Sequence, residues 1–502
     1  MERQTLTGRA GRDSAPDMAV ADAWLEPDTA EGDDEYNVAR HGRLISVSRQ
    51  IASLPAVRFL DAAEGQERFF WRDGGQDLTF AGIGVAAHMI GYGAGRIPAI
   101  QRQADLLFSH AESDTLSIAD GGSALAQPRL FGGFAFREDF VPDVTWTGFH
   151  PAHFILPHYQ LVTRGDQSWL TINALVPAEE KASANLPLLN EALEIRVESL
   201  NRLNESLEPG ISDPASPCAS AQGPEAAIDY PLSFAAWGQM IETARRTFAV
   251  TPMRKVVLSR IAQLRAQRPF DILQALTRLC ALYPDCYTFL FEPQPGNGFL
   301  GSTPELLVRV RGKEIGTMAL AGSIQRGANS TEDAALAGAL LSSAKDRYEH
   351  SLVVDALRSC LQPLTDTLNV AEEPTVLALR NIQHLLTPVK ARLRRPEGVL
   401  PLVKALHPTP AMGGAPRELA LEFIKSHEPT LRGWYAAPVG WIDRSMDGAF
   451  AVAIRSAVVQ KERAWAYAGA GITPDSLPVS EWNETDWKFQ PIITSLVGKR
   501  GR

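Results

Sequence analysis

The chain has 502 residues, of which 45% are hydrophobic and 21% are charged, and its net charge at pH 7 is −9. The composition is ordinary for a globular protein, and the negative charge argues against binding to nucleic acid or to an anionic membrane. No uninterrupted run of about 20 apolar residues is present, so no membrane span is expected. The four cysteines follow no metal or disulfide spacing, and we predict a cytoplasmic protein.

Composition divides the chain into four segments. Residues 1–38 are polar and acidic and predict a disordered tail. Residues 39–205 form a β-rich N-terminal half, with aromatic and β-branched runs that indicate antiparallel strands. Residues 206–230 are rich in Pro, Ser, Ala and Gly and predict a linker. Residues 231–498 form the region that carries the candidate site. The predicted elements of the N-terminal half are strands at Arg68–Trp71, Asp77–Ala81, Leu130–Phe136, His153–Leu156 and Ser168–Ile172 and a helix at about Leu186–Leu207.

The region after the linker opens with a predicted helix. Ser233 is a good N-cap, and Trp237, Ile241 and Ala244 recur at helical spacing. A single long helix is predicted over about Thr331–Leu361 from its helical periodicity. The predicted strands are Lys255–Ser259, Tyr287–Phe291, Leu306–Val310, Val439–Ile442, Ala449–Ile454 and Ala464–Ala468.

Two acidic pairs with the same spacing are the most informative feature of this region. They are Asp346 and Glu349, and Glu481 and Glu484. In a helix, a spacing of three places both carboxylates of a pair on one face. A solvated helix face would explain either pair alone. Two such faces brought together would offer several hard oxygen ligands, which suit Mg²⁺ better than Zn²⁺.

Two further residues have the character of an acid and a base. Lys255 opens an apolar strand, where a lysine often extends to water. If it points inward instead, burial favours its neutral form, which can act as a general base. Glu305 lies in a turn before another apolar strand and could simply cap that turn. In an apolar neighbourhood it would stay protonated and could act as a general acid.

Together with several short motifs, these residues resemble the chorismate-utilising enzymes, a family that includes isochorismate, anthranilate, aminodeoxychorismate and salicylate synthases. The resemblance covers about residues 233–498, with the motifs in order and at family spacing. It implies an α/β (α+β) fold, one chorismate-binding domain with two large, mostly antiparallel sheets packed face to face and helices outside. The additional motifs are Leu320–Ser323, Leu406–Ala411, Ala453–Arg455 and Gly469–Ile472, followed by Lys488.

The resemblance implies a magnesium site and a division of roles among the candidate residues. Glu349 and Glu484 would hold Mg²⁺ at the ring carboxylate of chorismate, with Asp346 and Glu481 acting mainly through bound water. Lys255 would deprotonate the water that attacks C2. Glu305 would protonate the hydroxyl that leaves C4. Arg455 and Lys488 would hold the enolpyruvyl carboxylate. The further residues expected to bind the substrate are Gly322, Ser323, His350, Ala411 and Gly469.

A few positions indicate which member of the family this chain resembles. Nitrogen-using members usually carry Gln where Lys255 stands, and aminodeoxychorismate synthases often carry a nucleophilic Lys where Ala321 stands. The segment Leu406–Ala411 is similar to that of isochorismate synthases. We therefore predict an isochorismate synthase that works as a monomer. One alternative is a salicylate synthase, which adds pyruvate elimination after the same first step. The other is an inactive binding protein of the same fold, and the intact acid, base and acidic pairs count against this second alternative only. The sequence leaves open whether the product feeds menaquinone, siderophore or salicylate synthesis.

Overall fold

Antiparallel β-structure with helices on its outside makes up most of this computed structural model. The predicted tail and most of the predicted linker lie outside the described residues, and the described end of the linker contains a strand, Ala226–Asp229. No helix of the described ranges is long and apolar enough to cross a membrane. The structure describes residues 42–63, 65–114, 122–177, 180–205 and 223–498.

The elements are numbered in chain order. The strands are β1 Arg43–Ile51, β2 Arg68–Asp73, β3 Leu78–Gly91, β4 Glu112–Asp114, β5 Arg129–Phe134, β6 Ala152–Arg164, β7 Gln167–Val176, β8 Ala226–Asp229, β9 Lys255–Ala266, β10 Tyr287–Gln294, β11 Asn297–Thr303, β12 Leu306–Arg311, β13 Glu314–Gln325, β14 Thr365–Val370, β15 Thr375–Ala378, β16 Ile382–Leu393, β17 Gly414–Ala415, β18 Pro438–Asp443, β19 Gly448–Val452, β20 Ser456–Gln460 and β21 Arg463–Ile472. The helices are α1 Ala56–Asp61, α2 Arg96–Ser109, α3 Gly122–Ala126, α4 Ala182–Glu205, α5 Phe234–Val250, α6 Ile272–Leu282, α7 Ser330–Ser342, α8 Ala344–Leu361, α9 Val399–Leu406, α10 Arg417–His427 and α11 Pro478–Val497.

The strands form one hydrogen-bonded network with two arms. The first arm runs β16–β13–β12–β19–β18–β5, and the second runs β2–β10–β11–β20–β21–β9. The long strands β3 and β6 join the arms, since β6 pairs with β5 and β3 pairs with β2. All of these pairings are antiparallel, and the parallel pair β1–β4 lies at the margin. The two predicted sheets are therefore continuous through β3 and β6.

The buried side chains show how the arms and helices pack. One core cluster joins Phe131 and Trp441 of the first arm to Phe289 and Tyr467 of the second, so the arms face each other. A second cluster packs α2, α8 and α9 on the outside of the first arm. A third packs α6 and α11 on the outside of the second arm. The predicted fold class, with facing sheets and helices outside, is confirmed.

The prediction of a single long helix over Thr331–Leu361 is wrong. The chain breaks at Ser343, whose backbone is extended, and two helices, α7 and α8, lie on either side of it. The side chain of Ser343 accepts a hydrogen bond from the backbone N–H of Asp346, which makes Ser343 the N-cap of α8. The break therefore fixes the first turn of the helix that carries the acidic pair Asp346 and Glu349.

Candidate active site

A cavity opens where β13 and β21 meet the helices α8 and α11. Most of the candidate site residues line it, although they come from parts of the chain that are far apart in sequence. Four candidates, Lys255, Asp346, His350 and Glu481, lie outside the lining. The predicted residues that line the cavity are Glu305, Gly322, Ser323, Glu349, Ala411, Arg455, Gly469, Glu484 and Lys488.

Lys255 points inward and contacts one wall of the cavity. It is the first residue of β9 and is completely buried, and its Nζ lies 2.9 Å from Oε1 of Glu349. Burial alone would raise the pKa of Glu349, but the positive charges of Lys255, Lys488 and Lys345 outweigh burial and lower it. Lys255 therefore does not extend to water, and its ion pair joins β9 to helix α8.

A glycine of β21 leaves room for this ion pair. A Cβ atom on Gly471 would lie 2.4 Å from Oε1 of Glu349 and 3.0 Å from Cε of Lys255. Both distances are at or below the closest approach that nonbonded atoms tolerate. The absence of a side chain at Gly471 therefore permits Lys255 and Glu349 to meet beside the cavity.

Glu305 has the environment of a carboxylic acid. It lies in the turn between β11 and β12, lines the cavity and is 2% exposed. Burial raises its pKa to about 8, even though the charges of Lys255, Lys488 and Arg455 act in the opposite direction. Desolvation thus outweighs the attraction of nearby cations. At neutral pH Glu305 is therefore mostly protonated, as expected for a glutamate in an apolar neighbourhood.

Arg455 offers a buried positive charge to the cavity. Its backbone lies in the left-handed region, with φ of 53°, a costly conformation for a residue with a side chain. Its Nη2 donates a hydrogen bond to Nε2 of His384 over 3.1 Å. Burial, together with the charges of Arg455 and Lys488, holds the pKa of His384 well below its usual value, so the imidazole is neutral. No carboxylate of the described residues forms an ion pair with Arg455.

His384 also holds the strand that carries the glycine motif. Its Nδ1 donates a hydrogen bond to the carbonyl oxygen of Gly322 over 3.1 Å, which leaves Nε2 as the acceptor for Arg455. Gly322 adopts a φ of 76°, and the pairing of β13 with β16 shifts register there. His384 therefore fixes Arg455 relative to Gly322 and Ser323.

Lys488 lies on helix α11 and makes two contacts at the cavity. Its Nζ donates to the carbonyl oxygen of Gly469 over 2.9 Å and to Oε1 of Glu484 over 2.5 Å. Lys488 follows Glu484 by four residues in α11, so both side chains share one helix face. The cavity therefore combines two cationic side chains, Arg455 and Lys488, with three carboxyl groups.

The other members of the two acidic pairs lie behind the cavity wall. Asp346 Oδ2 accepts a hydrogen bond from Ser343 over 2.5 Å, and Glu481 Oε1 accepts one from Lys345 over 2.8 Å. Burial and the charge of Glu484 raise the pKa of Glu481 to about 7. Burial likewise raises the pKa of Asp346. The two helices thus bring four acidic side chains close together, and lysines of the same region interact with them.

The four carboxylates suit a magnesium ion in the kind of donor that they offer. Hard oxygen ligands and mutual repulsion both favour a small divalent cation at this position. Within the part of the chain that the structure describes, no three His, Cys, Asp or Glu side chains converge closely enough to hold a metal ion. The four carboxylates fit the cation by their chemistry but do not surround one point, because Glu349, Glu484 and Glu481 pair with lysines and Asp346 pairs with Ser343.

Comparison with known proteins identifies the family. A family model described as "Chorismate binding enzyme" matches residues 33–497. The chain belongs to the chorismate binding enzymes. It is 35% identical to the salicylate biosynthesis isochorismate synthase of Pseudomonas aeruginosa over 456 residues, 90% of each chain. It is 33% identical to the isochorismate synthase MenF of Bacillus subtilis over 470 residues, which cover 92% of this chain and 95% of the relative.

The fold comparison agrees with this assignment. The structure of MenF, the menaquinone-specific isochorismate synthase from Escherichia coli, superposes with a TM-score of 0.71 and 25% sequence identity. The superposition covers 91% of this chain and 96% of that structure. The cavity of this chorismate binding enzyme therefore lies within a fold that it shares with a solved isochorismate synthase.

The structure separates one predicted substrate-binding residue from the cavity and adds others. His350 is buried outside the lining, where its Nε2 bonds to Oγ1 of Thr387 over 2.7 Å. The cavity is also lined by His384, Met412, Tyr435 and Tyr467, which the sequence patterns did not single out. The rings of the two tyrosines stack with centroids 5.1 Å apart. No periodicity marks these residues, because their position depends on pairing between distant strands.

Proposed function

We propose that this chorismate binding enzyme is a magnesium-dependent isochorismate synthase that isomerises chorismate to isochorismate. The observation that carries the proposal is a cavity lined by the buried acid Glu305 and by Arg455, with the buried Lys255 in contact with Glu349 of its wall. The identity to two isochorismate synthases over about nine tenths of the chain supports it. The predicted cytoplasmic location and monomeric state are part of the proposal.

Cationic side chains hold the substrate in the proposed mechanism. Chorismate carries two carboxylates, and Arg455 and Lys488 are the cavity's cationic groups for the enolpyruvyl carboxylate. The guanidinium of Arg455 presents a planar fork that suits a carboxylate. Glu349 and Glu484 would hold Mg²⁺ directly. Asp346 and Glu481 would contact it through bound water. The bound ion supplies charge screening and orientation at the ring carboxylate.

The chemical step exchanges one hydroxyl of the ring for another. In the proposed step Lys255 is released from its ion pair with Glu349 as a neutral amine, and it then accepts a proton from the water whose oxygen forms a bond to C2. The ring double bonds shift, the C4–O bond breaks, and Glu305 gives its proton to the departing oxygen as water leaves. One water enters and one leaves, so the reaction is an isomerisation. General acid–base help of this kind contributes about 10²–10⁴-fold to the rate.

Product analysis tests the proposal. With chorismate and Mg²⁺ we expect isochorismate alone, with salicylate and pyruvate at background, and chromatography of the mixture measures this. Excess EDTA should abolish turnover and added Mg²⁺ should restore it. Lys255→Ala should lose turnover while still binding chorismate. Stoichiometric salicylate and pyruvate would make the chain a salicylate synthase, and full turnover in EDTA would refute the metal site.

The relatives do not assign a pathway to the product. One relative is named for salicylate biosynthesis and one solved structure for menaquinone, and both are named isochorismate synthases. The proposal is therefore a statement about the reaction at this cavity.

A further inference from the structure

Glu481 is a buried carboxylate whose partner is a lysine from another helix. It lies in the first turn of α11 and is 1% exposed, and its Oε1 accepts a hydrogen bond from Nζ of Lys345 over 2.8 Å. A buried carboxylate without a partner is strongly unfavourable. In this structure Lys345 supplies the charge that Glu481 requires.

The local structure of α8 does not explain why a lysine stands at this position. Lys345 lies in the first turn of α8, where the helix dipole disfavours a cation. Although burial alone would lower it, the charges of Glu481, Glu349 and Glu484 raise the pKa of Lys345. Its positive charge therefore interacts with glutamates of both acidic pairs and not with Glu481 alone.

Lys345 differs from the other two lysines of the site in its access to solvent. Its side chain is 34% exposed, compared with 0% for Lys255 and 16% for Lys488. It does not line the cavity, whereas Lys488 does. Lys345 thus reaches the acidic residues from the edge and can turn outward into water without burying its charge elsewhere.

We propose that Lys345 is the resident counter-cation of Glu481, and that a divalent cation held by Glu349 and Glu484 must displace Lys345 from Glu481 before Glu481 can contribute to metal binding through water. Lys345 then sets the metal affinity of the enzyme before chorismate arrives. This inference rests on the proposed magnesium site and deepens it. The entering ion gains the charge of Glu481 only when the ion pair opens, and the lysine that remains nearby repels it. Removing that charge should strengthen metal binding.

The test measures Mn²⁺ binding to the full-length, metal-free protein without chorismate, by the EPR signal of free Mn²⁺. We expect Lys345→Met to bind Mn²⁺ more tightly than the wild type by about fivefold or more. Lys345→Arg, which keeps the charge, should stay within about twofold. Arg347→Met is the matched control, because it removes one positive charge from the same helix at a residue that pairs with the exposed Glu373. Its affinity should change by less than about twofold.

Thermal unfolding provides a second measurement that does not depend on turnover. Metal-free Lys345→Met should melt at a lower temperature than the wild type, because Glu481 loses its partner, and Mn²⁺ should raise its Tm by a larger amount. If the methionine variant does not fold, Lys345→Gln keeps a hydrogen-bond donor without the charge and carries the same expectation.

The outcomes separate this inference from the proposed function. If Glu484→Gln abolishes Mn²⁺ binding while Lys345→Met leaves the affinity unchanged or weakens it, the role of Lys345 is refuted and the metal site stands. If neither the wild type nor any variant binds Mn²⁺, the metal site is refuted and the inference with it. Tighter binding by Lys345→Met, together with unchanged Arg347→Met, supports the inference.

Discussion

Burial gives Glu305 and Lys255 different chemical properties at the same cavity. Glu305 is acted on by the cations Lys255, Lys488 and Arg455, yet desolvation outweighs them and keeps it mostly protonated at neutral pH. Lys255 is as deeply buried but has a carboxylate 2.9 Å from its Nζ. These different surroundings suit Glu305 to donate a proton, and they hold Lys255 beside Glu349 until its amine is free to accept one.

The pH dependence of the reaction should show the acid. Because the active form of Glu305 is protonated and its pKa is raised to about 8, kcat/KM should be sustained below this pH and fall as the pH rises through it. Glu305→Gln should lower kcat by about 10²–10⁴-fold, and its residual rate should lack this alkaline fall because an amide does not titrate. Measuring kcat/KM from pH 6 to 10 for both proteins checks this. An unchanged alkaline fall in the variant would assign it to another group.

The space that Gly471 leaves beside the ion pair of Lys255 and Glu349 leads to a second prediction about single residues. Gly471→Ala would place Cβ against Glu349 and Lys255, so we expect kcat to fall by about tenfold or more while the fold persists. Gly316→Ala in β13 is the control, since a Cβ atom there meets nothing within 4 Å. Steady-state kinetics and thermal unfolding of both variants decide it. Equal activity of the two variants would show that the clearance at Gly471 has no role.

Residues with a chemical signature could be found from the sequence, and those defined by their neighbours could not. Lys255, Glu305 and Arg455 lie in motifs that resemble a family. His384 had no such signal, because its contact with Arg455 joins residues 71 positions apart. His350 shows the converse, since its place in a motif does not bring it to the cavity. The positions of His384 and His350 relative to the cavity depend on contacts between residues that are far apart in sequence.

At the scale of elements, α8 and α11 hold the acidic pairs, and Ser343 sets where α8 begins. The sequence over residues 331–361 continues a helical pattern through Ser342 and Ser343, so periodicity predicts no break there. The break is explained by side-chain hydrogen bonds, in which Ser343 accepts from the backbone of Asp346 and donates to its carboxylate. Capping competes with helix continuation at serine, and this competition is invisible to a periodicity argument.

Ser343→Ala should therefore destabilise the protein by about 1 kcal/mol, the usual cost of losing an N-cap side chain. Ser351→Ala is a matched control in the same helix, because Ser351 is exposed and bonds only within α8. This control should be neutral or slightly stabilising, since alanine favours helix interiors. Denaturant unfolding measures both free energies. Equal stability of the two variants would show that Ser343 does not cap α8.

At the scale of the whole molecule, the long strands β3 and β6 make the two facing arms one continuous network. The aromatic and β-branched runs predicted the antiparallel strands, and the resemblance implied the facing sheets. The sequence could not predict that β6 passes from β5 to β7 along its length, because that depends on register over 13 residues. The cavity depends on this arrangement, since it lies where elements of both arms meet.

In the proposed reaction water attacks C2 while the C4 hydroxyl leaves, and isotope labelling follows the origin of the new oxygen. Chorismate and Mg²⁺ should be incubated with the enzyme in ¹⁸O-labelled water, and the isochorismate formed at early times should be analysed by mass spectrometry. We expect one ¹⁸O atom per product molecule, located at C2, and we expect Lys255→Ala to form no labelled product. Unlabelled isochorismate would mean that the hydroxyl migrates within the substrate, and it would contradict the roles of both Lys255 and Glu305.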